Sequence, residues 1–318
     1  MRTSASPWPE LDYTGWRDTL AGLQLRTQIV GKVRLALSPW LNHGWQVPLY
    51  VTARGLGTSP IPASHDKHEV FELEFDFIAH ALVARISSGD EGRVALQPQS
   101  IAAFYESLLS TLRSLGVVVH VNDQPNEVPE PIPFPLDRAD RPYDAAAARR
   151  FWLTLVQVDR VFKLFRTGFL GKSSPVHFFW GSFDLAVTRF SGRRAPLHPG
   201  GVPGLPDEVT REAYSHEVSS AGFWPGNDQH PEAAFYSYAY PEPPTFRDRA
   251  VRPEGARFEP KLGEFILPYD VLRKAADPDA ALLAFLASTY EAAADAAGWD
   301  RAELDCQIGA PRRVRPVT

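Results

Sequence analysis

The residues best equipped for chemistry lie between Tyr214 and Tyr240, where one histidine stands among tyrosines at two-residue spacing. Alternation along a strand puts Tyr214, His216 and Val218 on one face, with Ser215, Glu217 and Ser219 on the other. The returning segment sets Tyr236, Tyr238 and Tyr240 on a common face. A hairpin turning near Asn227 places His216 opposite Tyr238 and Tyr214 opposite Tyr240, with neighbours about 5 Å apart. An imidazole ringed by phenols suits proton transfer, with His216 as general base oriented by Tyr238. It equally makes a hydrogen-bonding wall for a polar or aromatic ligand, with Trp224 closing the edge. The plainer alternative is an aromatic sheet face covered by a proline-rich loop.

An internal repeat adds further polar positions. Arg26-Thr27-Gln28-Ile29-Val30-Gly31-Lys32 returns as Arg166-Thr167-Gly168-Phe169-Leu170-Gly171-Lys172. Ser38-Pro39, Leu49, Val51-Thr52 and Pro60 then return as Ser174-Pro175, Leu185, Val187-Thr188 and Pro196. In this alignment Leu41, Pro48, Ala53 and Pro62 of the first copy become His177, Asp184, Arg189 and His198 of the second. A buried polar group costs kilocalories unless paired, so packing alone gives no reason for the change. The expectation is a pocket in the second copy lined by His177, Asp184 and Arg189, together with His216, Glu217, Trp224 and Tyr238. Solvent-facing positions are the alternative. His177, His216 and either Asp184 or Glu217 would also supply the two-histidine, one-carboxylate set of some metal enzymes. Strand alternation separates His177 from Asp184 unless Gly181 introduces a bulge.

Known cofactor signatures do not fit. Gly171-Lys172-Ser173 resembles the tail of a phosphate-binding loop, but Arg166 occupies the required first glycine and the segment ends a helix. Gly31 and Gly171 read instead as glycines that kink or end helices. No strand is followed by Gly-x-Gly-x-x-Gly, and the prolines in Gly200-Gly201-Val202-Pro203-Gly204-Leu205-Pro206 remove donors that a phosphate nest needs. Neither Gly-x-Ser-x-Gly nor His-Glu-x-x-His occurs, since Ser220 replaces the second histidine after His216-Glu217. The cofactor is therefore left open, with a metal as one option.

Composition narrows the class. The 318 residues are 44% hydrophobic and 22% charged, ordinary globular usage. A net charge of −5 offers no general attraction to nucleic acid or to an anionic membrane. The single cysteine, Cys306, excludes an internal disulfide framework and fits a reducing cytoplasm. No apolar run approaches the roughly 20 residues needed to cross a bilayer, and Met1 to Glu10 lacks a signal-peptide pattern. A soluble cytoplasmic protein with a small-molecule partner is expected.

The elements that must position these residues follow from periodicity. Helices are expected over Trp16–Leu37, with Gly31 as a kink, over Ser100–Leu115, from Asp144 to about Leu170, and over Pro278–Ala297 capped by Asp277. Strands are expected at Trp45–Ala53, Glu69–Phe77, Ala81–Ile86, Arg93–Gln97 and Val117–Val121. Others are expected at His177–Phe190, Ala213–Gly222, Ala233–Tyr240 and Phe265–Leu267. Consecutive strands with short links imply antiparallel sheets and an α+β class. The organisation is two related halves, 8–125 and 144–300, packed as one pseudo-symmetric unit. A proline-rich connector, 126–143, joins them, and a tail, 301–318, follows.

Three segments carry a resemblance. Ser174-Pro175-Val176-His177-Phe178-Phe179-Trp180-Gly181-Ser182-Phe183-Asp184 is one, Tyr214-Ser215-His216-Glu217-Val218-Ser219-Ser220 another, and Phe235-Tyr236-Ser237-Tyr238-Ala239-Tyr240-Pro241-Glu242-Pro243 the third. They resemble signatures of a bacterial family of uncharacterised proteins, a domain of unknown function, across nearly the whole chain. The resemblance implies no activity or cofactor, and it favours one site shared by the three segments. The leading expectation is a small-molecule enzyme. A non-catalytic ligand-binding module, or a structural protein that dimerises through the tyrosine face, would use the same residues.

Overall fold

The computed structural model describes residues 7–64 and 68–315. The first half opens on α1 (Tyr13–Leu37), whose first turn is capped by Asp12 accepting from the amides of Thr14 and Gly15. Six antiparallel strands follow: β1 (Tyr50–Val51), β2 (Gly55–Gly57), β3 (Ile61–Pro62), β4 (Val70–Asp76), β5 (Ala81–Ile86) and β6 (Glu91–Ala95). They form a sheet in the order β1-β2-β4-β5-β6, with β3 also on β4. Alternation in β4 buries Phe71, Leu73 and Phe75. The short β7 (Gln99–Ser100) leads into α2 (Ile101–Ser114), capped by Ser100 as its sequence implies.

After the connector, where β8 (Asp140–Arg141) pairs with β7, comes α3 (Ala145–Arg166). The second sheet holds β9 (His177–Phe179), β10 (Asp184–Arg194), β11 (His216–Trp224), β12 (Ala234–Tyr240), β13 (Arg257–Glu259) and β14 (Glu264–Pro268). Its order is β13-β14-β12-β11-β10-β9, antiparallel throughout. The helices α4 (Asp207–Ala213), α5 (Tyr269–Arg273), α6 (Pro278–Ala296) and α7 (Arg301–Leu304) complete the chain. One face of this sheet packs on α3 and α6, through Phe162 on Phe235 and Arg189 between Phe165 and Tyr290. The class is α+β, as expected.

The halves share one continuous apolar core. Their sheets touch where Leu49 and Phe178 exchange backbone hydrogen bonds of 2.8 and 2.7 Å. The connector is also pinned. Gln28 of α1 donates to the Asn126 carbonyl and accepts the Asn126 amide, both at 2.8 Å. Lys32 donates to Asn126 Oδ1 at 2.5 Å, and Asn126 Nδ2 donates to the Gly204 carbonyl at 2.6 Å.

The first pair of matched segments does not share local structure, whereas Val51 and its counterpart Val187 both lie in strands. Arg26 to Lys32 lies inside α1, whereas Arg166 ends α3 and Lys172 lies in an extended segment alongside Phe190. Several expected boundaries also move. Regular pairing within Trp45–Ala53 is confined to β1, and Val117–Val121 is irregular although Val117 is fully buried. His177–Phe190 is a tight hairpin of two strands, turning at Trp180–Phe183 with Phe183 at φ +61°. Ala213 belongs to α4, so the next strand starts only at His216.

Gly31 does not kink α1. A Cβ there would lie 2.1 Å from the indole nitrogen of Trp180, which donates to the Val47 carbonyl at 3.0 Å. Glycine thus lets Trp180 lie against the helix and joins the halves. Gly31→Ala is expected to lower the unfolding free energy in urea by about 1–3 kcal/mol through overpacking. The same change in an open helix would raise it by about 0.5–1 kcal/mol.

Candidate functional site

The second sheet's other face carries polar and aromatic side chains, and its strands explain why. In register, Thr188 faces Ser220, Ser220 faces Tyr238, and Gly222 faces Tyr236. Period-two alternation then brings Asp184, Thr188, Ser220, Tyr236, Tyr238 and Glu264 to one surface. A Cβ at Gly222 would sit 2.3 Å from the Tyr236 hydroxyl, so the missing side chain lets that ring lie across β11. Asp184 is buried. It accepts from Ser182 Oγ at 2.5 Å and from the Tyr236 hydroxyl. Tyr236 stacks on Tyr238 with centroids 6.1 Å apart, and the Tyr238 and Tyr214 hydroxyls are hydrogen-bonded at 2.8 Å.

Two loops border this polar face. Tyr214, just after α4, stacks on His198, which also meets Tyr240, each at 5.0 Å between centroids. His198 Nδ1 accepts the Gly200 amide at 3.0 Å. The connector supplies Glu127, whose backbone has φ +53°, uncommon for a residue with a side chain. Its carboxyl lies over Gly181, where a Cβ would come within 2.1 Å of Oε1. Gly204 presses on the same turn, its own missing Cβ being 2.6 Å from the Glu127 amide.

Among the described residues, no counter-ion accompanies the acids of this face. Burial raises the Asp184 carboxyl, and its hydrogen bonds from Ser182 and Tyr236 oppose that rise. Burial, then the Asp184 charge, pushes Glu264 up to about 7. Glu127 is raised to about 7 by the same two causes, although much of the residue is open to water. No basic side chain contributes at any of the three. Burial also holds the phenols of Tyr236 and Tyr238 well above their usual range, so both remain proton donors at neutral pH. The cleft therefore presents phenol donors and a carboxyl that titrates near neutrality, in half-buried surroundings where such groups exchange protons.

The expected site residues divide between faces. Asp184 and Tyr238 meet on the cleft face, linked through Tyr236. His177 shares that face by register but is sealed behind Phe179 and Trp45, and burial lowers its imidazole to about 3. Among the described residues, its Nδ1 has no hydrogen-bond partner. Arg189 lies on the opposite face, bonded to the Phe165 carbonyl at 2.6 Å. Glu217 points the same way and pairs with Arg193 at 2.8 Å. Trp224 packs on His230 in the turn.

His216 is not opposite Tyr238. The hairpin centres on Gln229 rather than Asn227, so Tyr238 faces Ser220 while His216 faces Arg194. Its Nδ1 meets Ser215 Oγ at 3.1 Å, and its ring approaches His43 at 6.0 Å. The proposed ligand set of His177, His216 and Asp184 is thus dispersed. Among the described residues, no three histidine, cysteine, aspartate or glutamate side chains are placed to hold a metal ion. Sequence reasoning missed Glu127, Glu264 and Ser182. An acid leading the apolar run Phe265–Leu267 was the available signal for Glu264, and nothing marked Glu127 within its linker.

A model of a family of unknown function, DUF5996, matches residues 8–306. The chain belongs to that family. No curated protein and no solved structure matches it. The match spans both halves and the connector, so the DUF5996 unit includes Gln28 and Asn126 as well as the cleft they frame. Among the described residues, no helix of this DUF5996 chain is long and apolar enough to cross a membrane.

Glu264 gives a pH signature. A carboxyl raised from its unfolded value to about 7 binds more protons in the folded state. Its contribution is therefore complete below about pH 4.5 and is lost as pH rises toward 7. Glu264→Gln should flatten that part of the stability profile and exceed the parent at pH 8 by about 1 kcal/mol, allowing for solvent at the cleft rim. Denaturant titrations at pH 5 and pH 8 measure the difference, and parallel profiles would refute the assignment.

Proposed function

We propose that the cleft on the second sheet is the working site of a small-molecule enzyme. Its phenols would donate to the substrate, and its near-neutral carboxyl would accept or return a proton. The observation that supports this most is Asp184, a buried carboxyl with two hydroxyl donors and no cation, set under a wall of half-buried tyrosines. Such a site favours a substrate that brings its own positive charge or hydrogen-bond donors, because these would offset the cost of the buried acid. Tyr238 is the central donor, tied to Tyr214 on one side and stacked on Tyr236 on the other. Glu264 is the proton acceptor, one strand away. Asp184 orients Tyr236 and sets the local field. His216 has no place in this scheme.

A non-catalytic binding module would use the same wall, and the two readings separate experimentally. Thermal-shift screening against polar metabolites and amines should give a stabilising compound, since a ligand at 100 times its Kd adds about 2.7 kcal/mol. Asp184→Asn should lose that response. With the compound as substrate, Glu264→Gln should bind it with unchanged affinity but lower turnover at least about 100-fold, the usual contribution of a positioned acid or base. Binding without turnover in the parent would favour the module instead. A compound that stabilises Asp184→Asn equally would place the site elsewhere.

A further inference from the structure

A second cluster lies at the far end of the same sheet face, around Lys172. Phe190 marks its position, six residues along β10 from Asp184, or ~20 Å at 3.3 Å per residue. Lys172 Nζ is 2.5 Å from His43 Nε2, and the two residues come from different halves of the chain. His43 Nδ1 is 3.0 Å from the Ala213 carbonyl. A carbonyl only accepts, so Nδ1 carries the proton and the lone pair of Nε2 faces the lysine amine.

The imidazole is held firmly in that attitude. His43 has φ +63°, and its backbone amide donates to Glu212 Oε2 at 2.6 Å. Its ring packs 4.7 Å from Phe190 and 5.1 Å from Trp45. Nucleophile, base and a third group that orients the base are therefore in line, the arrangement by which proteins activate weak nucleophiles. Backbone strain retained at such a point is characteristic of functional sites. Lys172 itself is exposed, and Trp45 is half-buried beside it, so a small molecule can reach the amine and an aromatic surface together. Burial of the amine lowers its proton affinity, a contribution partly offset by Glu212.

We propose that Lys172 is an activated amine that forms an imine with small, preferably aromatic, aldehydes or ketones. Its nitrogen attacks the carbonyl carbon, forming a C–N bond as the C=O π electrons move to oxygen. His43 Nε2 takes a proton from that nitrogen and returns it to the oxygen. The remaining N–H proton passes by the same imidazole to the hydroxyl, the C–O bond breaks and water leaves as the nitrogen lone pair forms the C=N bond, so neither oxidant nor cofactor is required. Lys32, the counterpart in the first half, is also lowered, to about 8, but it is buried and committed to Asn126. It has no route to an external carbonyl.

The test uses the full chain, benzaldehyde and sodium cyanoborohydride at neutral pH, with peptide mass mapping over time. Lys172 should be labelled about tenfold faster or more than the exposed Lys261, a modest share of the ~100-fold that a positioned proton acceptor supplies. His43→Gln should bring Lys172 down to the Lys261 rate, and Lys172→Arg should remove the fast adduct. Labelling of Lys172 no faster than Lys261 in the parent overturns the proposal, whatever the fold of the variants. Fast labelling that survives in His43→Gln overturns the role given to the imidazole.

Discussion

One amide holds the site together. The Gln28 side chain meets the Asn126 backbone as a strand would, giving one hydrogen bond and taking another, and Gln28 is wholly buried. Two such bonds inside a core are worth about 1 kcal/mol each when made and more when broken, because the freed backbone groups have no water to turn to. This pairing fixes the turn that carries Glu127 and brings it over Gly181. A helix of the first half therefore positions a wall of a cleft whose floor belongs to the second. The connector is a structural part of the site, not a tether between bodies.

A second regularity concerns charge. Among the described residues, the buried Arg26, Arg189 and Lys32 are held by aromatic rings and carbonyls, not by carboxylates, and the exposed Lys172 follows the same habit. Arg26 lies over Phe104 and Tyr143 and donates to the carbonyls of Gln97 and Gln99. Arg189 lies over Phe165, Phe169 and Tyr290. Lys32 and Lys172 each approach a tryptophan from the other half, Trp180 and Trp45 respectively. Ring faces attract cations without supplying a full negative charge. The consequence is that, among the described residues, no cation pairs with Asp184 or Glu264, and Asp184 relies on the Ser182 and Tyr236 hydroxyls.

Much of the fold was legible in the sequence, and the failures have physical causes. Caps at Asp12, Ser100, Asp144 and Asp277 do what their residue types imply. The alternation in Tyr236, Tyr238 and Tyr240 identified the face correctly even though the pairing was wrong. The connection between β11 and β12 is longer than a tight turn and closes through Asn227 and His230. It moved each partner by four positions, an even number, so the parity that decides the face survived while the neighbours changed. Glu217 and Arg189 lie away from the tyrosine face because odd positions on their strands face the helices. Glu127 could not be found this way, because a loop residue's location depends on tertiary contacts that no local period encodes.

The Gln28–Asn126 pairing has a bearing on how such a chain can change over time. A recombination event that exchanged one half for a distant counterpart would carry in a foreign helix and lose its grip on the connector. The turn that carries Glu127 would then lose the contact that holds it over Gly181. The two halves are therefore tied to one another through a contact that lies well inside the matched span.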